Sequence, residues 1–255
     1  MHFLLFRLYG PMASWGDIAI GERRPSAAWP TKSAVLGLIA GALGLRRVDR
    51  EGHEALRDGL GFACRVDAPG HLLEDFHTAE APSGPSLRQY AKETGAPVAT
   101  RREELLALRD KDNPTLSYRQ YRGDAAAVAC VWRRTDSAPA LETLRDALRR
   151  PVFAPSLGRR SCVPALPFAP RIDEAESAPA ALRGAVLGDE QLLAPLLRAV
   201  EHVHLHWEGE GHSEGVAPLK TVRRRDVPLD RERWQFHDRE EHMALIPGPA
   251  RKAEG

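Results

Sequence analysis

The opening of the chain constrains its fold more than any other stretch. Phe3-Leu4-Leu5-Phe6-Arg7-Leu8-Tyr9 is a mostly apolar run of strand length. Gly10-Pro11 ends it, because proline fixes φ and brings no amide donor to a ladder. A polar loop holding Trp15, Arg23, Arg24 and Trp29 follows. Pro30-Thr31 then precedes Lys32-Ser33 and an apolar run over 34–45, so Thr31 or Ser33 serves as the N-cap of a helix. Glycines 37, 41 and 44 cost helix propensity but place bare backbone on one side, as close packing on a sheet requires. A strand, a basic loop and a small-residue helix thus demand a sheet that later segments must complete.

Beyond this unit, 51–59 reads as a second helix, and 62–66 and 72–77 as two strands joined at Pro69-Gly70, a hairpin signal. From 82 to about 113 the chain turns polar, with Pro82, Gly84, Pro85, Gly95, Pro97 and Pro114 as breakers, and reads as an extended arm. Segments 115–121 and 125–133 are strands turning at Gly123-Asp124, and 141–148 repeats leucine or alanine at helical spacing. After a proline-rich stretch at 164–170 and an acidic one at 173–176, a helix is predicted over 189–200 and a strand over 203–207. Hairpin signals outnumber βαβ spacings, which predicts an α+β fold with an antiparallel sheet and a smaller C-terminal part beginning near 165.

Charge and cysteine usage narrow the function classes. The net charge is +1, which excludes a uniformly basic, histone-like surface. Residues 1–50 nevertheless carry +4 and the remainder −3, so any phosphate contacts are localised. Lys220 with Arg223, Arg224 and Arg225 forms a second basic cluster, and Arg159-Arg160 after Gly158 a third; three such patches can line one groove. Cys64, Cys130 and Cys162 are odd in number and lack a CxxC pair, which supports core residues in a reducing compartment over a disulfide framework or zinc site. The apolar run over 34–45 is about half the ~20 residues a membrane span needs, and no basic, cleavable leader opens the chain. A cytoplasmic protein is expected.

Several of these segments carry a resemblance. Gly10-Pro11-Met12-Ala13-Ser14-Trp15-Gly16, Arg23-Arg24-Pro25, Pro30-Thr31-Lys32-Ser33 and Leu36-Gly37-Leu38 come first in the chain. Asp75-Phe76-His77-Thr78, Leu157-Gly158-Arg159-Arg160-Ser161-Cys162 and Arg224-Arg225-Asp226-Val227-Pro228 follow in order. Together they resemble the CRISPR-associated CasD family, the fifth Cas family of subtype I-E, in the RAMP superfamily. The resemblance implies a ferredoxin-like, RRM-type antiparallel sheet over 1–164, with a protruding β-hairpin thumb at about 82–115, a Gly-rich loop at about 155–162, and a smaller region over 165–255. It also implies a non-catalytic subunit of a Cascade complex that holds the 5′ handle of crRNA and caps the backbone filament, with no cofactor or metal. The implied partners are crRNA, the repeating backbone subunit and the large PAM-recognising subunit, with target DNA met indirectly and no membrane.

Such a role accounts for the residue types. Single-stranded RNA is held by Arg and Lys on phosphates, by backbone amides where glycine permits close approach, and by aromatic planes that stack bases. The expected contacts are therefore Trp15, Arg23, Arg24, Lys32 and Ser33, then Gly158, Arg159, Arg160 and Ser161, then Arg224 and Arg225. Plainer readings stand beside these: arginine pairs are commonly solvated, and Trp15 or Trp29 commonly anchors a core.

Other patterns are weaker. Gly61-Phe62-Ala63 matches the centre of an RNP1 signature, but Leu60 replaces the basic residue and Cys64 the stacking aromatic. Pro30-Thr31-Lys32-Ser33 ends like a P-loop without its glycines, so nucleotide hydrolysis is not expected. His202, His204 and His206, with His212 nearby, alternate as a solvated strand face rather than a metal site. Asp75 and His77 share a strand face, either as a buried hydrogen-bonded pair that fixes the sheet or as an acid/base pair. The alternative function is a metal-independent endoribonuclease processing pre-crRNA, as in subtype I-C relatives, for which Tyr9, Lys32 and His77 supply the residue types. A protein scaffold that never touches RNA is a third reading.

Overall fold

Strand β1 (His2–Tyr9) is buried along almost its whole length, which places it inside a sheet and not at an edge. The computed structural model describes residues 1–109, 112, 114–186, 202–209, 216–231 and 233–247. The helix predicted over 189–200 and His212 lie outside them. Thr31 caps α1 (Lys32–Leu43), its Oγ1 accepting from the Ala34 amide at 3.2 Å, and Gly44 ends the helix at φ +80. A short α2 (Arg50–Gly59) leads into β4 (Leu60–Ala68), buried throughout. The chain continues through β5 (His71–Ala79), β6 (Thr115–Gly123), β7 (Ala126–Arg133), α5 (Leu141–Arg149) and β8 (Arg171–Glu174). Then come α6 (Ala178–Arg183), β9 (His202–Trp207), β10 (Lys220–Asp230) and β11 (Gln235–Pro247).

Seven strands form one antiparallel sheet in the order β10-β11-β9-β4-β7-β1-β8, so the protein is mixed α+β. On one face α1 and α5 cover Leu4, Phe6, Leu8, Phe62, Cys64 and Val131; the leucines 141, 144 and 148 of α5 point inward at helical spacing. On the other face α6 covers Phe3, Leu5, Ala63, Val128 and Cys130, together with Leu205 and Trp207. All three cysteines are buried and unpaired, as expected of small core residues. Among the described residues, no helix is long and apolar enough to cross a membrane.

Four expectations change. Among the described residues the C-terminal strands are not set apart from the rest, since β9 pairs with β4 and carries β10 and β11 onto the same sheet. The glycines of α1 do not present a bare face to the sheet: Gly37 lies under Arg231, Gly44 packs on Val152, and nothing lies within 4 Å of a Cβ built at Gly41. Both RNP1-like residues are interior, Phe62 under the helices and Gly61 against Trp132, where a Cβ would sit 2.1 Å from the indole. The sheet face opposite α1 and α5 is covered by α6.

The fourth change concerns the two predicted hairpins. Neither Pro69-Gly70 nor Gly123-Asp124 turns a strand back on its neighbour. The two sites face each other, and one antiparallel ribbon runs through both: Ala68 pairs with Ala126 before them and His71 with Gly123 after them, in the same register. Gly70 (φ +65) and Asp124 (φ +55) are both left-handed, and a Cβ at Gly70 would strike the Gly123 carbonyl at 2.3 Å, so the ribbon bends there without breaking. Beyond the bend, β5 and β6 stay paired outside the core sheet, and β6 also pairs with two short strands, β2 (Met12–Ala13) and β3 (Arg23–Arg24), the latter parallel to it. The projection at 82–115 is not itself a β-hairpin. It holds α3 (Gly84–Thr94), capped by Ser83 and Gly95, and α4 (Arg101–Leu106), opened by a Thr100/Glu103 capping box.

Candidate RNA-binding site

Pairing of β3 with β6 sets Arg23 and Arg24 on the exposed ribbon beyond the bend. The Arg23 guanidinium lies 5.4 Å from the Tyr118 ring centroid and 3.6 Å from Glu74. Phe76, about half exposed, stands 5.1 Å from Tyr118, giving an aromatic surface edged by a cation. A cleft of about 280 Å³ opens beside it between Ile18, Ile20, Pro25 and Gln120.

The 155–162 loop packs beside this cleft, against the backbone of Ser14, Arg24 and Gln120. The Ser14 amide donates to the Leu157 carbonyl at 2.9 Å, and the Cys162 amide to the Arg159 carbonyl at 2.9 Å. Gly158 takes φ +92 so close to Ser14 that a Cβ would come within 1.7 Å of the Ser14 carbonyl oxygen. Arg159 then reaches across, donating to the Gln120 carbonyl and to the Arg24 carbonyl at 3.0 Å each, with its guanidinium 4.7 Å from the Tyr121 ring centroid. Gln120 is the junction of the site: its carbonyl also accepts from Ser14 Oγ at 3.3 Å, and its amide nitrogen donates to Glu74 at 3.1 Å. Two of the three predicted basic segments therefore meet, and Gly158, Arg160 and Ser161 are exposed beside them. Phe76, Tyr118, Gln120 and Tyr121 were not predicted; the strand carrying Tyr118-Arg119-Gln120-Tyr121 was, but not which of its residues would face β3.

The remaining predicted contacts sit elsewhere. Trp15 is 4% exposed; its amide donates to Ser26 Oγ and its carbonyl accepts from Thr31 Oγ1, so it anchors the core. Lys32 is buried, with Nζ 2.7 Å from Glu208 and 3.1 Å from the Leu60 carbonyl, and offers nothing to a phosphate. Ser33 is half-buried, its hydroxyl 3.1 Å from that of Thr31. Arg224 turns inward between Glu241 (3.0 Å) and the Trp29 ring (4.9 Å), while Arg225 faces out and donates to the Phe236 carbonyl. The third basic segment is thus half structural, and the three do not line a single groove.

Lys32 and Arg224 belong to a buried charge network joining α1 to the C-terminal strands. Arg239 pairs with Asp226 (2.7 Å) and Glu241, Glu208 accepts from the Phe62 amide (2.9 Å), and the Lys32 amide donates to Asp226 (2.8 Å). His206 is buried here, not solvated as expected, and stacks on Trp29 at 4.1 Å. Burial favours the neutral form of Glu241, but His206, Arg224 and Arg239 outweigh it and hold the carboxyl at about 2, down from the ordinary 4.5. A carboxylate depressed on folding stabilises the native state above its unfolded value and loses that contribution as pH falls through its folded value. The stability difference between wild type and Glu241→Gln is therefore expected to be full above about pH 4.5 and to close towards pH 2, as read by urea denaturation across that range.

Asp75 and His77 are hydrogen-bonded, but on the exposed ribbon and not buried within a sheet. The trio of Tyr9, Lys32 and His77 is not assembled: Tyr9 ends β1, Lys32 touches the start of β4, and His77 lies 17 residues further along the ribbon from Leu60.

Comparison with known proteins agrees with this architecture. Residues 3–240 match the model of the CRISPR-associated protein family Cas_Cas5. The Cascade subunit CasD of Escherichia coli (strain K12) is 33% identical over 161 residues, 63% of this chain and 66% of that relative, just under two thirds of its length. A chain of a CRISPR RNA-guided surveillance complex superposes with a TM-score of 0.61 at 25% identity, covering 96% of this chain and 90% of its own. A crystal structure of a Cas protein gives 0.59 at 25% identity, covering 96% and 95%. With the family model spanning almost the whole described fold, the chain belongs to the Cas5 family of CRISPR-associated proteins.

Proposed function

We propose that this chain is a crRNA-binding subunit of a Cascade-type surveillance complex, and that it holds the 5′ handle in the cleft between β3, β6 and the 155–162 loop without cutting it. The observation that carries this is Arg159, whose side chain ties the Gly-rich loop to the Arg24 backbone and so joins two cationic segments over 130 residues apart. Arg23, Arg24 and Arg160 then serve phosphates, Phe76 and Tyr118 stack bases, and Gly158 and Ser161 offer backbone approach. The order β4-β7-β1-β8 with α1 and α5 on one face supports a ferredoxin-like core. The ribbon and its helical tip supply the projecting thumb, set against the repeating backbone subunit. The large PAM-recognising subunit is the further partner, and base pairing reads the DNA target.

Handle affinity is expected to fall with ionic strength, and Arg23→Ala or Arg160→Ala to reduce the slope of log K against log salt by about one contact each. Filter binding of the handle RNA at four salt concentrations measures this; slopes unchanged in both variants overturn the cleft. The endoribonuclease reading draws less support, because Tyr9, Lys32 and His77 do not share a site. Its test is incubation of the chain with its repeat RNA in chelator; cleavage that His77→Ala abolishes would establish it.

A further inference from the structure

A second cationic recess lies where α2 meets the turn between β10 and β11. Arg47, Arg50, His53, Glu54 and Arg57 face residues 228–231 across it, and it encloses about 100 Å³, the scale of a single phosphate group. Arg231 is its anchor. Nη2 of Arg231 donates to the Ser33 carbonyl at 3.3 Å, and the guanidinium lies over bare backbone at Gly37, where even a methyl group would stand 3.4 Å away. Burial lowers its pKa, and no carboxylate among the described residues pairs with it. Arg47 aligns with the turn by donating from Nε to the Arg231 carbonyl at 2.7 Å.

The other groups facing the recess do not cancel this charge. Arg57 is clamped on both oxygens of Asp58 and donates to the Leu229 carbonyl at 3.2 Å. Glu54 and Asp230 are the carboxylates in the wall, and Asp230 accepts from the Arg233 amide at 3.0 Å. The His53 imidazole is lowered by burial and by Arg231, and stays neutral at neutral pH. Among the described residues, four arginines stand against three carboxylates once Asp58 is counted with Arg57, a net positive charge.

An aromatic step stands beside it. Trp234 is 61% exposed and left-handed at φ +53, with the Arg47 guanidinium 4.9 Å from its ring centroid and Phe236 stacked at 6.4 Å. A phosphate-sized cationic recess next to an open indole is the pairing that unstacked nucleotides require. We propose that this recess binds one phosphate of a single-stranded nucleic acid, held by Arg47, Arg50 and Arg231, while Trp234 stacks the adjoining base. The site is distinct from the handle cleft and does not rest on it, for the two share no lining residue.

The test is UV crosslinking of the full chain to an oligouridine of about ten nucleotides, followed by peptide mapping, with affinities for that oligomer and its abasic counterpart and with inorganic phosphate as competitor. Crosslinks are expected on the peptide carrying Trp234. Trp234→Ala is expected to weaken oligouridine about tenfold and leave the abasic strand unchanged, whereas Arg47→Ala with Arg50→Ala weakens both. All three side chains are on exposed residues, so the variants keep their fold, which circular dichroism verifies. Crosslinks confined to peptides carrying Arg23 or Arg159, with both variants within about twofold of wild type, overturn the proposal. Loss in the arginine variant alone, with full competition by inorganic phosphate, identifies a free-anion site and overturns it equally.

Discussion

Glu208→Ala is expected to lower the unfolding free energy by about 3–5 kcal/mol, the cost of leaving a buried charge without its partner. Glu208 Oε1 accepts from Lys32 Nζ at 2.7 Å and from the Phe62 amide at 2.9 Å, and it stands 3.1 Å from Arg134. Both the lysine and glutamate side chains are within 5% of full burial. With the carboxylate gone, the ammonium keeps only the Leu60 carbonyl, in a place where burial already pulls its pKa below the usual lysine value. Lys32→Met combined with Glu208→Leu is expected to recover most of the loss, because the desolvation cost disappears with the charges. Urea unfolding monitored by circular dichroism checks both, and a loss under about 1 kcal/mol in the single variant means that the network is hydrated.

The second large effect falls on RNA and not on folding. Gly158→Ala is expected to cut handle retention by at least about tenfold while costing on the order of 1–3 kcal/mol of stability. The added methyl would sit 1.7 Å from the Ser14 carbonyl oxygen at a φ of +92, so the loop must lift away from Ser14. Lifting it withdraws Arg159 from the Gln120 and Arg24 carbonyls and separates the Gly-rich loop from β3 and β6. Arg160→Ala removes one phosphate contact but leaves the loop seated, so its effect is expected to be the smaller. Equal retention by wild type and Gly158→Ala in a copurification assay would remove the loop from the RNA site.

Features decided by local backbone chemistry were legible from the residues alone. Thr31 caps α1 because its hydroxyl precedes an apolar run, and β1 stops at Gly10-Pro11 for want of a donor. The projecting arm misled for a related reason: Pro85 and Gly95 read as loop breakers, yet a proline in the first turn and a glycine past the last are also the ends of a helix, here capped by Ser83. Pro69-Gly70 and Gly123-Asp124 were read as hairpin turns; the chain bends there instead, and nothing local told that the two sites face each other across one ribbon. Lys32 has the chemistry of a phosphate ligand, and its true partner lies 176 residues away in sequence. Arg23 and Arg159 were named from their basic segments; Gln120, whose carbonyl accepts from Arg159, has an unremarkable side chain that only the ladder register brings to the centre.

The ladder of β4 and β5 against β7 and β6, which keeps its register across the bend, makes the outer arm a lever set into the body of the molecule. A pull on its tip is borne in shear by cross-strand bonds, and these lead to two interior strands with no free edge from which to peel. Whatever grips the arm therefore loads the middle of the protein directly, and the arm cannot swing as a tethered flap would.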